Sequence, residues 1–457
     1  MGIQVFFASL LCRCLKAVAR IAHRGGTAMP GRYALKLCPN LLQVLARDVH
    51  VVAITGTNGK TTSSRMVEEA FEEAGLDYIS NRSGANLISG ITTEFVMNSS
   101  LTGKPKKHYA VIECDEAAAR KVFGQLQPEA VLVTNLFRDQ LDRYGEVTHT
   151  LGNIREGLKG TPKSLLCLNA DCSLTSSLAL DLPNTCVYYG VNGTAVSAGE
   201  KPSISDATHC IRCKTEYEYD YMTYAHLGGY RCPKCGYRRP DADVAVTSIV
   251  RQTADSSVID MDIFGEKRTV TVNLPAVYNI YNAAGAITAA VKMGIPLDTA
   301  VNALGRFNCG FGRMEKFDLG AGGTRMMLVK NPAGCNQVIQ FLREIGEDFS
   351  LVVCLNDRSA DGTDISWIWD AEFEHLESIR DRIRSVYVSG TRAGDMQLRM
   401  KYAGINPEKI ILETDYAKLV DAMAGQEVPV FIMPTYTAML DLREHLIRRC
   451  GGADFWE

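Results

Sequence analysis

Residues 50–62 read His-Val-Val-Ala-Ile-Thr-Gly-Thr-Asn-Gly-Lys-Thr-Thr. The run from 50 to 55 is apolar and β-branched, as in a strand buried on both faces of a parallel sheet. Beyond the run, Met66, Val67, Ala70, Phe71 and Ala74 recur at helical spacing, and Gly75 closes that helix. Gly56, Thr57, Asn58, Gly59, Lys60, Thr61 and Thr62 lie between strand and helix. Glycines let backbone N–H groups turn toward an anion, and a helix N-terminus adds partial positive charge. The segment therefore predicts a phosphate cradle, with Lys60 on the β- and γ-phosphates of a nucleotide and Thr61 on Mg²⁺. Ile54 leaves the loop shorter than the general Gly-x-x-x-x-Gly-Lys-Ser/Thr pattern.

The rest of the chain bounds what this cradle serves. Its 457 residues are 46% hydrophobic and 22% charged, which fits two or three globular domains and excludes a disordered, collagen-like or disulfide-stapled chain. A net charge of -3 carries no nucleic-acid footprint. No stretch approaches about 20 uninterrupted apolar residues, so no transmembrane helix is expected. Met1 to Leu11 are apolar, but their positive charge follows, at Arg13, Lys16, Arg20 and Arg24, the reverse of an export signal. No acid precedes Asp48. Residues 3–22 fit a basic amphipathic helix with two open uses: contact with an anionic membrane surface, or packing on the next domain with its basic face in water. Gly25-Gly26 and Pro30-Gly31 read as a linker.

More segments follow the cradle in order. His108 to Glu113 is a second buried strand ending in an acid. Ala130 to Thr134 is a third, followed by Asn135 and the run Arg138-Asp139-Gln140-Leu141-Asp142-Arg143-Tyr144-Gly145. Later come Tyr278-Asn279-Ile280-Tyr281-Asn282 and Gly312-Arg313-Met314-Glu315. Together with Gly-Thr-x-Gly-Lys-Thr-Thr, these segments resemble the Mur ligase superfamily. The resemblance implies ATP as the nucleotide and Mg²⁺ on Glu113 as well as Thr61. It places Asn279 and Asn282 on the helix that holds the nucleotide, and Arg313 in a hinge before the last domain. Gln140 stands where the family usually has His.

Fifteen cysteines are scattered along the chain. Most read as buried thiols of a reducing cytosol. Cys210, Cys213, Cys232 and Cys235 differ: they form C-x2-C-x18-C-x2-C, the spacing of a closed structural Zn²⁺ site. Tyr217, Tyr219, Tyr221 and Tyr224 between the pairs suit a small hairpin, and His209 reads as a bystander. The ribbon's basic excess is mild, so an insert that stiffens the central domain is preferred to a nucleic-acid binder.

After Phe317 strands are expected near 325–330, 350–355, 385–389, 409–412 and 429–433, with helices between them: a second α/β domain. Two strands end in Lys-Asn-Pro-Ala-Gly-Cys-Asn-Gln (330–337) and in the acid-rich stretch 355–370, where open α/β sheets bind ligands. These runs, Pro434 to Leu440, and the four-cysteine insert resemble the ligase subunits of the lipid II isoglutaminyl synthases within that superfamily. The resemblance implies ATP-dependent amidation of the α-carboxylate of D-glutamate in the lipid II stem peptide, through an acyl phosphate, by a cytoplasmic enzyme of peptidoglycan synthesis. Only about 47 residues precede the first strand, too few for the UDP-sugar domain of soluble Mur ligases, which suits a lipid-linked substrate. No cysteine has the Gly-x-Cys-x-Gly context of a glutaminase nucleophile, so ammonia is expected from a GatD-like partner subunit in a heterodimer. The resemblance implies that the ligase lends an acid to the partner's Cys–His pair. Asp357 is the first choice, because a strand end is rigid and projecting, with Asp361 and Asp364 behind it.

The expected fold is thus α/β. A basic segment (1–47) precedes a Mur ligase-type central P-loop domain (48–315) with a zinc-ribbon insert at about 205–240, and a Rossmann-like α/β domain (316–457) follows. Two other functions stay open: a Mur-type ligase that adds an amino acid, and a zinc-ribbon nucleic-acid-binding ATPase.

Overall fold

The computed structural model describes residues 2–21, 27–81, 85–138, 147–195, 206–307 and 313–451, without the Arg313 side chain. The stretch 139–145 with Gln140, the Gly25-Gly26 pair, Gly312 and the Arg313 side chain, each singled out above, lie outside the described residues. The chain divides into two compact units, one formed by residues 1–137 and 147–307 and the other by 138–146 and 308–457.

The first unit is built on a sheet of β1 (His50–Thr55), β2 (Tyr78–Ser80), β3 (Tyr109–Glu113), β4 (Ala130–Val133), β5 (Leu165–Asn169), β6 (Cys186–Val191), β9 (Val244–Gln252), β10 (Ser257–Ile263) and β11 (Glu266–Val272). Its order is β11-β10-β9-β6-β5-β4-β1-β3-β2. Strands β1 to β6 and β9 pair in parallel, and β9-β10-β11 form an antiparallel meander at one edge. Val51 to Ile54 of β1 are fully buried, as a strand covered on both faces requires. The two-stranded ribbon of β7 (Glu218–Tyr224) and β8 (Leu227–Arg231) stands apart from this sheet. It is tied to the unit by side chains. The Tyr237 hydroxyl donates to the Ser173 carbonyl (2.9 Å), and the Tyr221 hydroxyl to the Val191 carbonyl (2.7 Å). Fully buried Asp171 accepts from Arg239 Nε (2.6 Å), the Val191 amide (2.9 Å) and the Tyr281 hydroxyl (2.5 Å). Three donors on one buried carboxylate offset its desolvation.

The N-terminal helices differ from the sequence expectation. Helix α1 (Gly2–Ile21) packs on α2 (Met29–Leu37) and α5 (Ile88–Met97); α3 (Leu41–Ala46) and α4 (Lys60–Glu73) lie between these in the chain. Pro30-Gly31 is not a linker: it forms the first turn of α2, where Pro lacks only an N–H that is orphaned anyway. Gly31 is needed for close approach, since a Cβ there would sit 1.9 Å from the Ser89 carbonyl oxygen of α5. Helix α1 does pack on the domain, but only part of its basic face is in water: of Arg13, Lys16 and Arg20, Arg20 alone is exposed. Arg13 turns inward to the carbonyls of Val96 (3.1 Å) and Ser99, and Lys16 pairs with Glu94 at 2.9 Å. With a mean hydropathy of 1.5 in its best window, α1 is long and apolar enough to cross a membrane by length and composition. The expectation of no such helix counted uninterrupted apolar residues and was broken at Arg13; the average over the window is not.

The second unit is a six-stranded sheet of β12 (Arg313–Phe317), β13 (Thr324–Met327), β14 (Phe349–Cys354), β15 (Ile383–Ser389), β16 (Ile410–Leu412) and β17 (Val430–Pro434), in the order β12-β13-β17-β14-β15-β16. All pairs are parallel except β12-β13. The stretch read as a hinge is thus in part an antiparallel edge strand. Its acid is anchored: Glu315 and Arg443 form a buried, two-oxygen ion pair, with Arg443 Nε at 2.9 and 3.1 Å from the carboxylate.

Candidate active site and metal centre

Strand β1 lies between β3 and β4, and its parallel register sets Ile54 beside Glu113 and Thr55 beside Val133. The loop after β1 and the acid ending β3 therefore open at the same edge, the carboxyl end where such sheets bind ligands. The loop is laced to the segment after β4. The Thr57 amide donates to the Asn135 carbonyl (2.8 Å), the Asn58 amide to Asn135 Oδ1 (2.9 Å), and the Thr134 hydroxyl to the Asn58 carbonyl (2.7 Å). The Phe137 amide donates to the Thr57 hydroxyl at 3.1 Å. Gly59 caps α4 at φ +84°, and a Cβ there would meet Asn282 Oδ1 at 2.0 Å. A side chain is thus excluded on two grounds, φ and space.

Asn282 stands against the cradle because its helix, Val277–Lys292, packs on α4. Its Oδ1 accepts from Ser63 (3.4 Å) and its Nδ2 donates to Asn279 Oδ1 (3.2 Å); Asn279 in turn donates to the Pro275 carbonyl (2.7 Å). Lys60 Nζ lies over the loop, 2.6 Å from the Gly56 carbonyl and 3.1 Å from Glu116 Oε2. The Thr61 hydroxyl donates to Glu113 Oε2 at 2.7 Å. Thr62 is buried in the first turn of α4. Seven loop residues, Glu113, Asn279 and Asn282 are thus brought together; the Arg313 side chain is not described.

The donor set fits Mg²⁺, a hard cation that takes one or two protein oxygens and fills its shell with phosphate and water. Thr61 and Glu113 present two such oxygens beside an N-terminal helix turn. Sequence reading missed three supporting residues. Glu116 neutralises Lys60. Asn81 fixes the Glu113 backbone in both directions, at 2.8 and 2.9 Å. Asn86 donates to Glu113 Oε1 at 3.4 Å. Only Glu116 had a local signal: an acid in the first turn of the helix that follows β3.

In the ribbon, Cys210 and Cys213 precede β7 while Cys232 and Cys235 follow β8. Their sulfurs lie within 4.8 Å of one another, with Cys210–Cys235 at 3.5 Å and Cys213–Cys232 at 3.4 Å. Four thiolates about 2.3 Å from Zn²⁺ in a tetrahedron stand about 3.8 Å apart, so the set fits that ion. His209 is not in the cluster; its Nδ1 pairs with the Thr208 hydroxyl. Tyr217, Tyr230 and Tyr237 form the small core beneath.

Elsewhere, burial pushes the thiols of Cys167 and Cys354 up to about 12, and those of Cys114 and Cys335 upward as well. Cys172 is an exception: burial opposes its ionisation, yet its hydrogen bond with His226 (3.5 Å) lowers it overall. It is fully buried, with no access for a substrate.

The acid-rich stretch after β14 separates by role. Asp361 is buried and accepts from the Thr437 amide (2.7 Å) and hydroxyl (2.5 Å) at the start of the helix Tyr436–Cys450. Exposed Asp364 accepts from the Ser366 amide (2.8 Å), and that bond holds its carboxyl below the usual range. Asp357 is one-third exposed, accepts from the Thr391 hydroxyl (2.9 Å) and lies 3.5 Å from Arg392. Asn356 joins three strand ends, donating to Thr437 and accepting from Thr391. Trp369 is exposed and meets the Tyr402 ring edge-on.

Residues 54–223 match the Mur ligase middle domain family and residues 328–439 the MurT ligase C-terminal family. The chain is 34% identical, over 93% of each chain, to the lipid II isoglutaminyl synthase (glutamine-hydrolyzing) subunit MurT of Streptococcus pneumoniae. The chain belongs to the MurT family. The MurT of Staphylococcus aureus is 33% identical over 97% of this chain and 98% of its own. Among solved structures, a pseudomurein peptide ligase type C of Methanothermus fervidus has a TM-score of 0.64 at 20% identity, over 88% of this chain and 79% of that one. A Mycobacterium tuberculosis folylpolyglutamate synthase, solved with ADP and AMPPCP, has a TM-score of 0.60 at 12% identity, over 94% and 96%. These structures show the Mur ligase fold.

Proposed function

We propose that this MurT-family ligase amidates the α-carboxylate of D-glutamate in the lipid II stem peptide, with ATP as the energy source and a GatD-like glutaminase as the ammonia source. A carboxylate does not condense with ammonia at neutral pH, because oxide is a poor leaving group. Attack of the carboxylate on the γ-phosphoryl group of ATP gives an acyl phosphate and ADP. Ammonia then attacks the acyl carbon, phosphate leaves, and the amide loses a proton. Lys60 and the loop amides stabilise charge that builds on the transferring phosphoryl group. Thr61 and Glu113 would hold Mg²⁺, which supplies further neutralisation of that charge. Glu116 keeps Lys60 paired beside the loop before nucleotide arrives, and Asn282 fixes the edge of the cradle.

One observation carries this reading: a glycine loop, lysine, threonine and acid suited to a phosphate cradle sit in a chain 33–34% identical to MurT over 93–97% of its length. A Mur-type ligase that adds an amino acid is the weaker reading. A UDP-N-acetylmuramate–L-alanine ligase matches at 27% identity over 60% of this chain and 46% of its own. The deciding experiment supplies lipid II, ATP and Mg²⁺ with either ammonium or amino acids and reads the product by mass spectrometry. Amidation with ammonium alone is expected; amino-acid addition would overturn the reading.

The four cysteines hold structural Zn²⁺ in this proposal, with no coordination position left for catalysis. Stoichiometric zinc is expected by elemental analysis, with loss of the metal and lowered thermal stability in Cys213→Ser. Asp357 completes the partner's Cys–His pair by orienting and stabilising its imidazolium. Asp361 is buried in its helix cap and Asp364 closes a local turn, whereas Asp357 stands at the end of β14, partly exposed and held by Thr391 and Arg392, the rigid strand-end position this role favours. The boundary between the central and C-terminal domains is placed near residue 315 of the chain, and the enzyme works on the cytoplasmic side, where its nucleotide is made.

A further inference from the structure

Helix α1 is apolar on both sides. Val5, Ala8, Ser9, Cys12 and Ala19 are buried against the unit. At 100° per residue, Ile3, Phe6, Phe7, Leu10, Val18 and Ile21 fall on the opposite side. That side is open: Ile3 is 75% exposed, Phe7 58%, Val18 62% and Ile21 81%. A helix on the surface of a globular unit normally turns charge outward, and a contiguous apolar face marks an interaction surface. Here the charges go elsewhere. Arg13 and Lys16 are drawn inward to Val96, Ser99 and Glu94, which leaves the outward face almost uninterrupted. Exposed cations accompany it, Arg20 on α1 and Arg32 and Lys36 on the helix α2 packed against it. No acid occurs before Asp48.

We propose that the outward face of α1 lies in the interfacial layer of an anionic lipid bilayer, parallel to the membrane and without spanning it. An apolar face flanked by unbalanced cations matches a surface that is apolar below and negative above. A second copy of the chain would bring like charges together, and a partner protein offers no reason for the absence of acids over the whole segment. Spanning is disfavoured, because it would strip α1 from α2 and α5 and place Arg13 and Lys16 in hydrocarbon. The inference refines the placement of the proposed ligase beside a lipid-linked substrate. Its readout is binding, so it fails or succeeds separately from the reaction.

The test is co-sedimentation of the full chain with vesicles of phosphatidylglycerol and cardiolipin, or of phosphatidylcholine alone. Binding to the anionic vesicles is expected, weaker in high salt and about tenfold or more weaker for the triple variant Ile3→Ser, Phe7→Ser, Leu10→Ser. Arg20→Gln with Arg32→Gln and Lys36→Gln should reduce the preference for anionic over neutral vesicles. Circular dichroism and amidation of detergent-solubilised lipid II check that the variants are folded, and both should match the parent. Absence of vesicle binding by the parent, or equal binding by the folded triple variant, overturns the proposal. If the triple variant instead loses self-association or its co-purifying subunit while vesicle binding persists, the face belongs to a protein contact.

Discussion

The proposed function draws on two strand ends of this molecule, and they are built differently. After β1 the chain makes one continuous device: glycine turn, lysine, threonine and helix start follow each other within seven residues, and β3 and β4 brace it from the sides. After β14 the chain scatters its acids. One caps a distant helix, one closes a local turn, and one remains at the rim. Nucleotide sites draw on backbone N–H groups and a helix terminus, which are adjacent in sequence by construction. An acid that acts on another subunit, the role proposed for Asp357, has no such local constraint, so no sequence pattern around it marks it out.

The sharpest break in this comparison is Asp357→Asn. In a reconstituted complex with the glutaminase subunit, glutamine hydrolysis should fall by about 10⁴-fold, as for an orienting acid in a triad, while complex formation and ATP binding persist. An unchanged glutaminase rate removes Asp357 from that role. Lys60→Ala comes next: ATP-dependent amidation with free ammonium should fall by about 10²–10³-fold, while glutamine hydrolysis partly survives. Normal amidation in this variant would detach the cradle from the reaction. The smallest effect belongs to Asp361→Ala. Loss of its bonds to Thr437 should cost about 0.5–2 kcal/mol in urea unfolding, as for a lost helix cap, with glutaminase activity retained in the folded complex. A selective loss of glutaminase activity there would exchange the roles of the two aspartates.

These differences also explain how far the sequence could be read. Periodicity and punctuation located β1, the loop and α4, and placed the strands of the second unit within a few residues, because buried parallel strands are apolar runs bounded by turn residues. The clustering of the four cysteines was legible because a paired C-x2-C spacing is what a metal site would require. What escaped depends on contacts between distant segments. Asn81 and Asn86 reach Glu113 only once β3 is in place. Arg13 and Lys16 look like a solvated basic face until α5 supplies their acceptors. Pro30-Gly31 looks like a break until Ser89 shows why that glycine opens a helix. Gly312-Arg313-Met314-Glu315 resembles a hinge, and only register against β13 shows that Arg313 to Glu315 also belong to an edge strand, with Glu315 locked by Arg443.

The central claim is that this chain is the ATP-using half of a two-part amidating enzyme. It is tested most directly by switching the nitrogen source of the purified chain with lipid II, ATP and Mg²⁺. Ammonium should yield the amidated product without any partner, and glutamine should yield it only after the glutaminase subunit is added. Amidation from glutamine by the chain alone, or none from ammonium with or without the partner, would contradict the account.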